Sequence, residues 1–223
     1  MKKLIVCGAS GRMGSLICKL AQESKAWEVV GKVDLNSPLE NVVGEGDVII
    51  DFSQPEGTAL HVALALKNKK PIVIGTTGLN AEQQKKIEAA SKKIPIVFSP
   101  NMSVGVNVLF RLTEIATKAF GKDYKIEISE THHVHKKDAP SGTAKEIGNV
   151  VEKNCGAKPP IESIREGEVI GDHTVVFKSG REHLAITHRA LDRSLFAEGA
   201  LKAAAWVIGK NPRLYSMADV LEL

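Results

Sequence analysis

Between residues 130 and 144 the chain reads Glu130-Thr131-His132-His133-Val134-His135-Lys136-Lys137-Asp138-Ala139-Pro140-Ser141-Gly142-Thr143-Ala144. Three imidazoles and two ammonium groups in so short a run make a local positive field and can exchange protons near neutral pH. Ser141 is a natural N-cap for a helix that starts near Gly142, and Pro140 stiffens its approach. The N–H groups at Gly142 and Thr143 then form an anion site. Two other readings stand beside this one: a solvated basic loop, or zinc held by His133, His135 and a carboxylate. No His-Glu-x-x-His run or cysteine-rich partner supports a metal, and none is expected. Cys7 and Cys18 read as core residues. Cys155 has no supporting base near it in sequence, so a thiol nucleophile is not expected.

A second constellation is Gly8-Ala9-Ser10-Gly11-Arg12-Met13-Gly14, between an apolar run and a helical pattern. A dinucleotide pyrophosphate needs backbone N–H groups at a helix start and no side chains in its path, and glycines supply that clearance. The spacing is a G-x-x-G-x-x-G variant, which a turn with no ligand would also fit. Asp34 strengthens the dinucleotide reading, because an acid about 20 residues on can hold the adenosine ribose hydroxyls. Leu35 follows it where an arginine would hold a 2′-phosphate, which favours NADH over NADPH, although Arg12 and Lys32 lie near in sequence. Gly75-Thr76-Thr77-Gly78 and Ser99-Pro100-Asn101-Met102 both fall at carboxyl ends of expected strands, where ligands of open α/β sheets bind.

The elements that must position these loops follow from hydrophobic spacing. Apolar runs at 3–7, 29–33, 47–52, 71–74 and 94–98 alternate with helical patterns at Met13/Leu16/Ile17/Leu20, Ala59/Val62/Ala63/Leu66 and Ala81–Ser91. Continuous apolar strands alternating with helices mean a parallel sheet covered on both faces, a doubly wound α/β unit. The pattern changes near residue 104. A helix with Val108, Leu112, Ile115 and Ala119 as core positions leads to Tyr124–Glu130, and another places Ile147, Val150 and Val151 on one face. Residues 161–168, 173–178 and 183–189 read as strands with a Ser179-Gly180 turn. A last helix shows Leu201, Ala204, Ala205 and Ile208. No repeat and no Pro/Gly/Ser-rich linker interrupts the chain.

Composition narrows the classes. With 43% hydrophobic and 25% charged residues, the 223-residue chain has ample material for a core and is not a disordered polymer. A net charge of +4 is too small for a nucleic-acid protein and points to small acidic partners. Three widely spaced cysteines argue against a disulfide framework and fit a reducing compartment. The apolar run at Leu4–Cys7 stops at Gly8, too short for a signal peptide, and no segment approaches a membrane span, so a cytoplasmic protein is expected.

The run His132-His133-x-x-Lys136-x-Asp138-x-Pro140-Ser141-Gly142-Thr143-Ala144, preceded by GASGRMG, DFSQPE, GTTG and SPNMSVGVN, closely resembles the 4-hydroxy-tetrahydrodipicolinate (dihydrodipicolinate) reductases. The resemblance runs from Lys3 to Leu221, and the histidine–lysine–PSGT segment is its specific part. It implies NAD(P)H-dependent reduction of a cyclic dicarboxylate imine on the route to diaminopimelate and lysine, with loss of water. It implies His132 as the acid/base residue and Lys136 as the proton donor, with His133, Gly142 and Thr143 binding substrate beside Ser141. Nucleotide contacts map to Gly8, Ala9, Ser10, Gly11, Arg12, Met13, Asp34, Gly75, Thr76, Thr77, Ser99, Pro100, Asn101 and Met102. The implied fold is a Rossmann-like doubly wound domain, residues 1–103 and 193–223, plus a smaller α+β substrate and oligomerisation domain with an open mixed sheet, residues 104–192. A homotetramer is implied, with no nucleic-acid or membrane partner. The chain departs from the family in Leu35 and in short connections after Asp34.

Two other functions compete on the residues: another nicotinamide-dependent dehydrogenase of amino-acid metabolism, and a non-catalytic nucleotide sensor. Aldehyde oxidation through a thioester needs a placed cysteine, which these loops lack. A sensor has no need of His132 and Lys136 beside an anion site, and fold alone does not separate the classes.

Overall fold

The computed structural model describes all 223 residues, Met1–Leu223. They divide into two compact units, Met1–Val104 with Ser194–Glu222 and Gly105–Arg193.

The larger unit is a parallel sheet. Its strands are β1 (Lys2–Cys7), β2 (Trp27–Val33), β3 (Val48–Asp51), β4 (Ile72–Ile74), β5 (Pro95–Phe98) and β10 (Arg213–Tyr215), in the order β10-β5-β4-β3-β1-β2. Every pairing is parallel. The continuous apolar runs are explained by what covers them. Leu4, Val6, Val48, Ile50, Val73 and Val97 face one core with helices α1 (Arg12–Glu23), α6 (Ser194–Val207) and α7 (Met217–Leu221). The alternate residues Ile5, Cys7, Ile49, Ile72, Ile74 and Ile96 face another with α2 (Pro55–Lys67) and α3 (Ala81–Ser91). Because successive side chains point to opposite faces, a strand buried on both cannot alternate with polar residues. Strand β1 lies between β3 and β2, so the winding direction reverses at β1/β3, and the crevice for a ligand opens at their carboxyl ends. The connection from β2 to β3 contains a single 3-10 turn, Leu39–Asn41. Sequence spacing did not reveal β10, only three residues long, or α7.

The smaller unit contains a mixed sheet ordered β7-β6-β8-β9: β6 (Lys125–His132), β7 (Ile161–Arg165), β8 (Gly171–Lys178) and β9 (His183–Ala190). Strand β7 runs parallel to β6, and the other pairs are antiparallel. Helices α4 (Val104–Phe120) and α5 (Gly142–Cys155) cover one face through Leu109, Ala116, Ile147 and Val151, against Ile126, Ile128, Val175 and Phe177.

Helix α4 corrects the sequence reading. Leu112 and Ile115 are exposed, at 43% and 50%, whereas Val106, Leu109, Thr113, Ala116 and Thr117 are buried. Thr117 fits the interior because its Oγ1 donates to the Thr113 carbonyl (2.7 Å) inside the helix, whereas the buried Thr113 Oγ1 has no partner.

In the larger unit α6 packs hard on the segment after β5: a Cβ at Gly199 would sit 1.8 Å from the Met102 carbonyl oxygen. Backbone cannot yield as a side-chain tip does, so Gly199→Ala should push the helix away at a cost of about 1–3 kcal/mol. Denaturant midpoints of the two proteins check this; equal midpoints would contradict it.

Candidate active site

The carboxyl ends of a parallel sheet lie along one edge, and the Gly-rich bend, Asp34, Gly75–Thr77 and Ser99–Met102 all follow strand ends there. Gly8 has φ +76°, and a Cβ on it would lie 2.5 Å from the Phe52 carbonyl oxygen. A Cβ at Gly14 would lie 2.0 Å from the Gly8 carbonyl oxygen, so α1 can approach the bend only because Gly14 lacks one. Gly11 is the N-cap of α1 and no side chain caps that end. The first-turn N–H groups are thus left for an anion. Ser10 donates from its N–H (3.0 Å) and its hydroxyl (2.9 Å) to the two oxygens of Asp34, which fastens the acid to the bend. This cradle fits a dinucleotide pyrophosphate with a ribose beside it.

The other loops are shaped from beneath. The Phe52 ring lies so close to Gly75 that a Cβ there would come within 2.2 Å of it. Thr76 is buried and accepts from Thr58 Oγ1 (2.9 Å). Asp51, at the end of β3, is fully buried; it accepts from the Ser53 N–H (2.8 Å) and lies 3.1 Å from His61 Nδ1. Ser99 Oγ donates to the Asn101 carbonyl (2.8 Å). Not every expected contact residue offers a side chain: Ala9 and Met102 are buried in the core, so only their backbone lines the edge.

In the smaller unit one face of the sheet changes character along its length. Below are Ile126, Ile128, Val175 and Phe177; above are Glu130, His132, Gly171 and His173. Ser141 is the N-cap of α5: its Oγ accepts from the Ala144 N–H (3.1 Å) and lies 3.1 Å from His173 Nε2, while its own N–H donates to Glu130 Oε1 (3.2 Å). A Cβ at Gly142 would meet nothing within 4 Å, so the space before the helix start is open. Lys136 Nζ donates to Asp138 Oδ1 (2.7 Å), and this ammonium holds the Asp138 carboxyl below its usual range. His133 donates its N–H to the Val169 carbonyl (2.7 Å) and keeps a buried Nδ1 without a partner. Its ring is 6.1 Å from that of His135, and no group of three His, Cys, Asp or Glu residues is arranged to hold a metal.

Residues 2–102 match the family model for dihydrodipicolinate reductase, N-terminus, and residues 105–221 the model for its C-terminus. The chain belongs to the dihydrodipicolinate reductase family. It is 41% identical to the 4-hydroxy-tetrahydrodipicolinate reductase of Aquifex aeolicus across an alignment of 262 positions, gaps included, covering 99% of each chain. It is 37% identical to that of Syntrophus aciditrophicus across an alignment of 264 positions, covering 99% of this chain and 98% of the relative. The dipicolinate-bound dihydrodipicolinate reductase from Paenisporosarcina sp. TG-14 has the same fold, with a TM-score of 0.85, 22% identity and 98% of both chains covered.

Sequence reasoning about this reductase-family chain missed Glu130, Arg165 and His173 as parts of the cluster, and Asp51 with His61 under the other loops. Glu130 stood in the quoted motif, two residues before His132, which on a strand is the same face. Arg165 and His173 carried no local signal, because only sheet pairing brings them to Glu130.

The buried imidazoles have a pH consequence. Burial, then the neighbouring His132 charge, pushes the His173 pKa from 6.5 down to about 4. Burial also lowers His188, which pairs with His173 across β8/β9. A histidine whose folded pKa is depressed leaves the unfolded chain binding more protons between the two values. Its stabilisation is therefore intact above pH 6.5 and lost as pH falls toward 4. His173 alone should account for about 3 kcal/mol over that window. Urea midpoints of native protein and His173→Gln across pH 7–4 check it: the variant should show the shallower decline.

Proposed function

We infer that this chain is a 4-hydroxy-tetrahydrodipicolinate reductase, an NAD(P)H-dependent oxidoreductase of diaminopimelate and lysine biosynthesis. The observation that carries this reading is 41% identity, end to end, with a relative of that name. The site supports it physically. A ring with two carboxylates calls for cations and N–H donors, and the smaller unit offers His132, His133 and Lys136 beside the open start of α5 at Ser141, Gly142 and Thr143. We assign substrate binding to His133, Ser141, Gly142 and Thr143, and the acid/base role to His132. A nicotinamide dinucleotide held by Gly8–Met13, Asp34, Gly75–Thr77 and Ser99–Met102 would supply the hydride that replaces the 4-hydroxyl at C4 of the ring. Departure as water takes up one proton, and we assign its source to the Lys136 ammonium, which donates a hydrogen bond to Asp138.

We assign residues 1–103 and 193–223 to the dinucleotide, through Gly8–Met13, Asp34, Gly75–Thr77 and Ser99–Met102, and residues 104–192 to substrate and oligomerisation. NADH is the preferred cofactor on this reading. Asp34, pinned by both hydrogen bonds from Ser10, keeps a negative charge where a 2′-phosphate would lie, and Leu35 beside it is fully exposed with no cation to offer. No helix is long and apolar enough to cross a membrane, and we place the enzyme in the cytoplasm. A homotetramer is supported by the sheet face of Glu127, Ser129 and Thr131, which stays half-exposed while the opposite face is covered by α4 and α5.

Purified protein should oxidise NADH when given freshly made 4-hydroxy-tetrahydrodipicolinate; unchanged absorbance with both nicotinamides would defeat the reading. His132→Ala and Lys136→Ala should each lower kcat by ~100-fold or more, with the Kd for NADH within about twofold of native. Calorimetric titration should find NADH bound at least ~10-fold more tightly than NADPH, the penalty for a phosphate beside a carboxylate. Asp34→Ala should narrow that gap.

A further inference from the structure

Glu130 is a charge for which the reaction as described has no use. It is 1% exposed and lies on β6 two residues before His132, on the same face of the sheet. Four donors surround it: His132 Nδ1, the Ser141 N–H at 3.2 Å, and both terminal nitrogens of Arg165 at 3.1 and 2.9 Å. Arg165 reaches it from β7, whose residue opposite His132 it is. Burial works against ionisation here, but the hydrogen bonds from Arg165 and His132 outweigh it and hold the carboxyl down to about 2. An ionised carboxylate only accepts. The proton of a neutral His132 is therefore on Nδ1, and its lone pair is on Nε2.

The second observation is the space before that lone pair. The residue beside His132 Nε2 is Gly171, the first of β8. A Cβ there would lie 2.9 Å from Nε2 and 3.3 Å from Cδ2. We propose that Glu130 is a positioning residue for the reductase: clamped by Arg165, it fixes His132 in the Nδ1–H form with Nε2 outward, and Gly171 keeps that nitrogen open to substrate. The proposal rests on the function assigned above.

The other groups facing His132 leave this task to Glu130. Arg165 from β7 spends its charge on Glu130 itself. His173 from β8 meets the ring edge-on, with centroids 5.1 Å apart, and is neutral near pH 7. Lys136 from the following loop is paired with Asp138. Burial lowers the His132 pKa, and Lys136 and Arg165 push the same way; Glu130 is the negative group opposing them. The same carboxylate receives the Ser141 N–H, so one residue sets the registry of the imidazole with the helix start.

Nitrogen NMR of imidazole-labelled, ligand-free protein tests the clamp without any turnover. Native His132 should show protonated Nδ1 and bare Nε2; the opposite tautomer would overturn the proposal. In Glu130→Gln the tautomer preference should be lost and the His132 titration midpoint should fall. Steady-state kcat should drop by roughly 10- to 1000-fold, the KM for NADH should change by less than about twofold, and the pH–rate limb belonging to His132 should move to lower pH. Glu130→Asp should recover part of kcat. A Glu130→Gln enzyme with native kcat and pH profile would sink the idea. Should that variant not fold, the native tautomer still decides, together with Gly171→Ala: lowered kcat with His132 still protonated on Nδ1 supports the proposal, and native kcat counts against it. If native protein reduces no 4-hydroxy-tetrahydrodipicolinate with either nicotinamide, the functional reading has failed, and the tautomer alone reports whether the clamp exists.

Discussion

A carboxylate removed from water must be surrounded by donors, and the upper half of the smaller unit is built around one that is. Glu130 draws together the strand that carries His132, the strand that carries Arg165 and Ser141, the N-cap of α5. Removing any one donor leaves a buried charge short of partners, which is costly in a way that loss of a surface pair is not. The histidine-rich run is not a solvated basic loop at His132, which is 7% exposed, whereas it is one at His135, which pairs with the exposed Glu168.

The larger unit solves a different problem with glycine. On the proposed function its loops bring backbone N–H groups to a phosphate, and the obstacle to their close approach is steric. Gly14 lets α1 settle on the Gly8 carbonyl, and Gly75 lets the next loop lie on the Phe52 ring. The acid among these loops, Asp34, is tied to Ser10. Both hydrogen bonds come from the bend itself, so the acid moves with the phosphate cradle and not independently of it.

Much of this was readable in the residues because it is local. Apolar runs buried on both faces report a parallel sheet, and the glycine bend, the GTTG loop and the Ser141 cap are each written within a few neighbours. What misled was helix α4. Its Val108/Leu112/Ile115/Ala119 stripe is as helical as the true buried face, which carries Thr113 and Thr117. Spacing cannot choose between two stripes when one hides its hydroxyl in a helix-internal bond. Strand β10 was missed because three residues carry too little pattern, and it exists because β5 offers it an edge.

By itself the sequence determined the alternation of elements, the glycine bend, the Ser141 cap and the histidine–lysine–PSGT run that marks the family. These depend on side-chain type and on spacings of a few residues. Only the tertiary structure decided which nitrogen of His132 is free, that Asp34 answers to Ser10, and that Arg165 and His173 complete the cluster. Those facts depend on strand register, and pairing energies summed over a whole sheet bring together residues that lie 35 positions apart in the chain.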